Sequence, residues 1–217
     1  MSSAEDDPQL GLGLGGPAGP GQRALVAPEG AAASGERVAG VDEAGRGPLA
    51  GPVVAAAVVL AEPNPVAGLT DSKKLSAKRR EALYEALLEG AAAAGLGWAE
   101  PEEIDAVNIL QATHRAMERA VGALGADPGV VRIDGNSRPA GLPAAECVVG
   151  GDASDPAIAA ASILAKVTRD SWMADYDARY PGYGFAGHKG YGTAAHREAI
   201  RCLGPSPIHR RSFRIGY

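Results

Sequence analysis

Apolar and polar positions along the chain alternate between two periods, one suited to strands and one to helices. The run Val53-Val54-Ala55-Ala56-Ala57-Val58-Val59-Leu60 is apolar throughout and bounded by Gly51-Pro52 and Pro63, the pattern of a buried strand. A shorter apolar run over 37–41 precedes it. Ser76 reads as an N-cap, residues 77–94 are dense in helix formers, and Gly95 is expected to stop that helix. Residues 97–100 form a short strand candidate. Pro101-Glu102-Glu103 then opens a helix whose Ile104, Val107, Leu110, Thr113, Met117 and Val121 share one face. Strands over 130–133 and 145–149 follow, the first delivering Asp134 and the second ending just before Gly150-Gly151-Asp152. Asp155-Pro156 opens a long helix crowded with alanine, which suggests close packing on the sheet. Tyr180-Pro181-Gly182-Tyr183-Gly184 breaks it, and a last helix over 193–202 leads to a basic tail.

Residues 1–35 are rich in Gly, Pro, Ala and Ser without apolar periodicity, and read as a disordered extension. The expected organisation is therefore this extension, a catalytic domain over 36–180, and a helical extension over 181–217. With 217 residues and 46% hydrophobic content the chain can bury a sizeable core, but aromatics are only 5%, so Ala, Val and Leu must build it. Cys147 and Cys202 show no metal-type spacing and fit a reduced, cytoplasmic compartment. No apolar run approaches the length of a membrane span, and the acidic start, Glu5-Asp6-Asp7, is unlike a signal peptide.

A formal net charge of −5 argues against a generic nucleic-acid binder. Its distribution softens the objection, because residues 1–36 hold five acids against one arginine. From Asp152 onward nine Lys and Arg stand against six acids, a balance compatible with a phosphate backbone as ligand.

Candidate chemistry gathers in Val41-Asp42-Glu43-Ala44-Gly45-Arg46-Gly47-Pro48, between the first two strands. Adjacent carboxylates repel and are costly to desolvate unless a cation compensates them. Hard divalent cations take oxygen ligands from a few carboxylates and leave positions for water and phosphate. A glycine-lined turn lets backbone approach a ligand closely, and Arg46 can pair with phosphate bidentately. Asp134 and Asp152 also lie at or just beyond strand ends, where ligands of open α/β sheets collect.

These segments resemble bacterial ribonuclease HII, a type 2 ribonuclease H. The resemblance rests on Val41 to Val53, Asp71-Ser72-Lys73-Lys74-Leu75-Ser76, Ile133-Asp134-Gly135-Asn136, Ala161 to Asp170, and His188-Lys189-Gly190-Tyr191-Gly192-Thr193. It runs from about Arg37 to the C-terminus in the family's order and spacing. The sister family, ribonuclease HIII, usually carries lysine where Arg46 stands. The resemblance implies an α/β fold, a ribonuclease H-like mixed β-sheet flanked by helices with a small helical C-terminal extension. It assigns Asp42, Glu43, Asp134 and Asp152 to catalysis and metal binding, with two Mg2+ or Mn2+ ions, about 3.5–4 Å apart, acting in an in-line phosphodiester displacement. Gly45, Arg46 and Gly47 would read the ribonucleotide through its 2′-hydroxyl, and Tyr191 would pack on the sugar of the following deoxynucleotide. Lys73, Lys74, Lys166 and Lys189 are further candidates for substrate contact, whereas Asp170 reads as structural. Where the family usually has lysine before the glycine of its last metal-ligating aspartate, this chain has Gly150. The implied partners are RNA/DNA hybrids and ribonucleotide-containing duplex DNA, cut on the 5′ side of the ribonucleotide to leave 3′-hydroxyl and 5′-phosphate ends. A monomer without an obligate protein partner or membrane association is expected.

Rival readings differ in chemistry. In one, the 2′-hydroxyl itself attacks, with His188, His196 or His209 as acid and base. Another is a hybrid-binding module without catalysis, which four acids facing a phosphate backbone would oppose. A nucleotide-dependent phosphotransferase would call for a P-loop of the GxxxxGK[ST] type, and the sequence has none.

Overall fold

The structure, a computed structural model, describes residue 19, residues 21–27 and residues 37–214. Six strands, β1 (Gly21–Val26), β2 (Arg37–Ala44), β3 (Val53–Leu60), β4 (Ala91–Ala99), β5 (Gly129–Asp134) and β6 (Glu146–Val148), form one sheet in the order β1-β4-β3-β2-β5-β6. The β1, β4, β3 and β2 pairings are antiparallel, whereas β2–β5 and β5–β6 are parallel, so the sheet is mixed. Helices α1 (Ala77–Gly90) and α5 (Pro156–Arg179) cover one face, and α2 (Pro101–Val107) and α3 (Ile109–Gly122) the other.

Alternation along β3 shows why both faces need cover. Val54, Ala56 and Val58 join Leu83, Leu87, Ile163 and Leu164 in one core, while Val53, Ala55, Ala57 and Val59 join Ile104, Ala116 and Met117 in the other. A strand buried on both faces reads as a continuous apolar run, as this one does. Small residues set the layer spacing. A Cβ at Gly40 would stand 2.1 Å from the Ala157 backbone carbon, and one at Gly97 2.1 Å from the Ala116 carbonyl oxygen. The alanine-rich α5 does press closely on the sheet, entered through Asp155, which caps the Ala157 and Ile158 N–H groups.

Three expectations need correction. The helix expected over 77–94 ends at Gly90, and Ala91–Ala94 belong to β4, paired with β3 and partly with β1. Alanine's helix propensity yields here to the sheet edge and to the close approach of α3, since local preference is a weak prior against tertiary pairing. The single helix expected from Pro101 is two, parted at Asn108 with φ 71, whose side chain then accepts from the Gln111 N–H and restarts the helix. Leu110 accordingly falls off the buried stripe at 37% exposure. The stretch read as disordered over 1–35 contributes β1 at Gly21–Val26, because the outer edge of β4 offers free backbone groups and Trp98 donates to the Gly19 carbonyl at 2.6 Å. Most of the remaining residues of that stretch lie outside the described ones.

Beyond α5 the chain forms a short turn of helix, α6 (Phe185–His188), then α7 (Ala194–Leu203) and an irregular tail. That tail returns to the sheet's edge, where the Gly51 N–H donates to the Ile208 carbonyl and Ala50 bridges to His209. No described helix is long and apolar enough to cross a membrane.

Candidate active site

β2 and β5 run parallel, with Val41 opposite Ile133, so the next residue of each, Asp42 and Asp134, emerges at the same carboxyl edge of the sheet. Helix α4 (Gly151–Ser154) starts just beyond β6, and the Gly151 N–H donates to Asp134 Oδ1 at 2.8 Å. That bond draws Asp152 to the same corner. Gly150, standing where a lysine was expected, takes the left-handed conformation with φ 70, and a Cβ there would meet nothing within 4 Å. The structure therefore brings Asp42, Glu43, Asp134 and Asp152 together, as the strand-end reading required.

The charges are not comfortable there. Asp42 is 5% exposed and its carboxyl is raised well above the usual range by burial, then by the Glu43 and Asp134 charges. The Glu43 backbone N–H, 2.7 Å from Asp42 Oδ1, opposes this, and to a lesser degree so does the nearby Ser162 hydroxyl, itself 2.8 Å from that of Ser72. Glu43 is also raised by burial, against the pull of Arg46, whose Nη1 lies 3.4 Å from Glu43 Oε1. A 3₁₀ turn over Ser72–Lys74, capped by Asp71, points Lys73 at the cluster, with its Nζ 3.5 Å from Asp152 Oδ2. Burial opposes ionisation of Lys73, but Asp152, Asp42 and Asp71 outweigh it and raise its pKa.

Among the described residues no group of three acidic, His or Cys side chains stands arranged to hold a metal ion, and the Lys73 ammonium and Arg46 guanidinium are the cations at the cluster. The donor set nevertheless fits a hard cation. It is entirely carboxylate oxygen, and burial first, then repulsion among Asp42, Glu43 and Asp134, raises the Asp42 and Glu43 carboxyls, a cost that a bound cation would relieve.

The Gly45–Gly47 turn leaves the end of β2 beside the acids. Gly45 has φ 97, and a Cβ there would stand 2.0 Å from Arg169 Nε, so glycine is required on both counts. Tyr191 is 46% exposed, and a Cβ at Gly47 would lie 3.6 Å from its ring, which places ring and turn side by side. The other basic candidates separate. Lys74 pairs with Asp71 at 3.8 Å rather than with the main cluster. Lys166 pairs with Asp170 at 2.8 Å, and Lys189 Nζ donates to the Asp170 carbonyl at 3.3 Å. Both lysines are thus gathered around Asp170, the residue that follows the buried Arg169 in α5.

Two side chains that sequence reasoning passed over organise the turn from beneath. Arg169 is 1% exposed and donates to the carbonyls of Pro52, Lys189 and Ala50. Arg210 is fully enclosed and donates to the carbonyls of Gly51, Arg46 and Gly45. Burial lowers Arg169 to about 10, and burial with the nearby Arg169 charge lowers Arg210 to about 9, yet both remain guanidinium at neutral pH. Arg169 lay within a segment matched to ribonuclease HII, but nothing around Arg210 in the sequence marks it as buried. His188, His196 and His209 pack with one another and with Phe185 in the C-terminal part.

Comparison with known proteins bears on this arrangement. The ribonuclease HII family model matches residues 39–215. A ribonuclease HII of Polaromonas sp. is 58% identical over 176 residues, covering 81% of this chain and 88% of that protein. The ribonuclease H2 of Pyrococcus horikoshii has a similar crystal structure, with a TM-score of 0.69 and 30% identity over 82% of this chain and 94% of that one. The fold is also that of Bst ribonuclease HIII, solved in complex with Mn2+, at a TM-score of 0.61 and 19% identity over 82% of this chain and 67% of that one.

Proposed function

Because the chain belongs to the ribonuclease HII family, and so is an endonuclease acting on RNA in RNA/DNA hybrids, we propose that it also incises duplex DNA 5′ of single embedded ribonucleotides. Hydrolysis there would leave 3′-hydroxyl and 5′-phosphate ends. The observation that supports this reading is the meeting of Asp42, Glu43, Asp134 and Asp152 at one sheet edge, beside a glycine turn open to a sugar.

Asp42, Glu43, Asp134 and Asp152 would hold two divalent ions, Mg2+ or Mn2+. The Mn2+ carried by a ribonuclease HIII of like fold is in keeping with this. Bound ions would supply Lewis-acid activation of water and charge neutralisation at the departing oxygen. The chain's own residues do the rest. The Glu43 and Gly151 N–H groups fix the Asp42 and Asp134 carboxylates, so little reorganisation is left for the reaction. Arg169 and Arg210 turn the loop's carbonyls inward, which leaves the Gly45–Gly47 backbone to read a 2′-hydroxyl. Tyr191 packs on the sugar of the next nucleotide, while Arg46, Lys73, Lys74, Lys166 and Lys189 face the phosphates.

Cleavage of a duplex with one embedded ribonucleotide tests the reading, with and without Mg2+ and with Asp42→Asn. The wild-type chain should nick that strand on the 5′ side only when the ion is supplied, and Asp42→Asn should lose roughly a hundredfold or more in rate. Near-normal turnover by Asp42→Asn, or activity that survives EDTA, would refute the assignment.

A further inference from the structure

Two histidines outside the acid cluster are as buried as the core. His196 is fully enclosed and His209 is 3% exposed. A buried neutral imidazole needs one nitrogen to donate and the other to accept, and which does which must be inferred from its partners. Here both ends of the chain of contacts are unambiguous. The Ser206 backbone N–H, which can only donate, is 2.8 Å from His209 Nδ1. Nδ1 therefore accepts, and the His209 proton sits on Nε2, 3.1 Å from His196 Nε2. His196 Nε2 must then accept, leaving its Nδ1–H to donate to the Tyr191 carbonyl at 2.9 Å, a group that can only accept. Burial lowers the pKa of His196, and burial with the adjacent His196 lowers His209 to about 4, in keeping with two neutral rings.

We propose that His196 and His209 form a directional relay that holds the Tyr191 backbone, and with it the Tyr191 ring, in register with the Gly45–Gly47 turn. They are positioning residues, and the proposal rests on the reading of Tyr191 and that turn as substrate contacts. The neighbouring bonds point the same way. The Tyr191 N–H donates to the His188 carbonyl at 2.9 Å, and the Leu49 N–H to the Gly190 carbonyl at 2.8 Å. The residue after His209 is Arg210, whose guanidinium holds the Gly45 and Arg46 carbonyls. One dipeptide of the tail therefore grips both halves of the sugar-facing surface. Tyr191 itself is too exposed to be located by side-chain packing, so its backbone must be located for it.

Steady-state cleavage of a duplex with one embedded ribonucleotide tests this with His196→Phe, His196→Asn, Tyr191→Ala and the double variant Tyr191→Ala/His196→Phe. Phenylalanine removes both nitrogens, and asparagine restores a donor where Nδ1–H stood. The relay predicts that His196→Phe raises KM about tenfold with kcat held within about threefold, that His196→Asn recovers most of the loss, and that His196→Phe costs nothing further once Tyr191 is alanine. A His196→Phe penalty that persists undiminished beside Tyr191→Ala overturns the proposal, as does an asparagine no better than phenylalanine. Tyr191→Ala with unchanged KM overturns the substrate reading of Tyr191, and the relay's purpose with it. Nitrogen-15 correlation spectra of the wild-type imidazoles near neutral pH give a readout independent of variant folding. The relay requires Nδ1–H on His196 and Nε2–H on His209, and the opposite tautomers or an imidazolium would overturn it.

Discussion

Glu100→Gln exchanges a buried carboxyl for an amide of the same shape, and the structure gives both the sign and the size of the consequence. Glu100 follows the last residue of β4 and is 7% exposed, and its Oε1 is buried without a hydrogen-bond partner. It borders a cleft of about 440 Å3 that Glu102, Tyr176 and Arg179 also line. Burial, with the Glu102 charge behind it, pushes its pKa from 4.5 up to about 8, against the pull of Arg179. A carboxyl raised on folding binds more protons folded than unfolded across that interval. Stability must therefore fall as pH climbs from about 4.5 to about 8, and stay level on either side. At ~1.36 kcal/mol per unit the whole shift corresponds to roughly 5 kcal/mol. Relaxation of the cleft and entry of water reduce this, and half of it, about 2–3 kcal/mol, is the working figure. Denaturant unfolding of wild type and variant in metal-free buffer, at pH steps from about 5 to about 8.5, measures it. The variant should gain on the wild type by ~0.7–1.4 kcal/mol per pH unit up to about pH 8 and then no further. Cleavage should stay within about twofold, since β3 lies between β4 and the strand that carries Asp42. A stability difference independent of pH would refute the reasoning.

Two further substitutions address the turn. Gly45→Ala places a Cβ 2.0 Å from Arg169 Nε at φ 97, and should cost ~2–4 kcal/mol in denaturant melts and more than about tenfold in kcat/KM; unaltered stability would show that the turn yields freely. Arg210→Lys cannot serve the Gly45, Arg46 and Gly51 carbonyls with one ammonium, so stability should drop by ~1–3 kcal/mol and kcat/KM by about tenfold. Unchanged kinetics would mean that the turn holds its shape without the guanidinium.

Parts of this arrangement were legible because local and long-range preferences agreed. Val53–Leu60 reads as a strand from its unbroken apolar run, and Asp155-Pro156 reads as a helix start because cap and first-turn proline act within three residues. Asp42, Glu43, Asp134 and Asp152 were legible as a group because each was expected at or just beyond a strand's carboxyl end, although β2 runs on to Ala44 and so takes in Asp42 and Glu43. Ala91–Ala94 were not, since alanine carries no signal of the partner strands that claim it. Asn108 gave no warning of a helix break that depends on its positive φ. The distribution of lysines was also hidden. Spacing could show that Lys166 and Asp170 face each other, but not that Lys189 would reach the Asp170 carbonyl from another element. Arg169 and Arg210 stayed out of view for the same reason, because carbonyls contributed by distant loops have no sequence signature.

What those two arginines avoid is as informative as what they bind. Both are buried cations within the segments that build the site, and Asp42 is a buried carboxyl there with Glu43 half-buried beside it. Pairing them would relieve both costs at once. Instead the guanidiniums place six hydrogen bonds on carbonyls of the loop and its neighbours, and the cations that act on Glu43 are the more exposed Arg46 and Lys73. A carboxylate locked to a buried arginine would be neutralised within the protein and would bind a divalent ion weakly. Solvating the arginines with backbone oxygen keeps their charge beneath the turn, and leaves the acids short of compensation until an ion from solution supplies it. On the proposed reading, a divalent ion would relieve the repulsion that, after burial, raises the Asp42 and Glu43 carboxyls, and it would displace their protons in doing so.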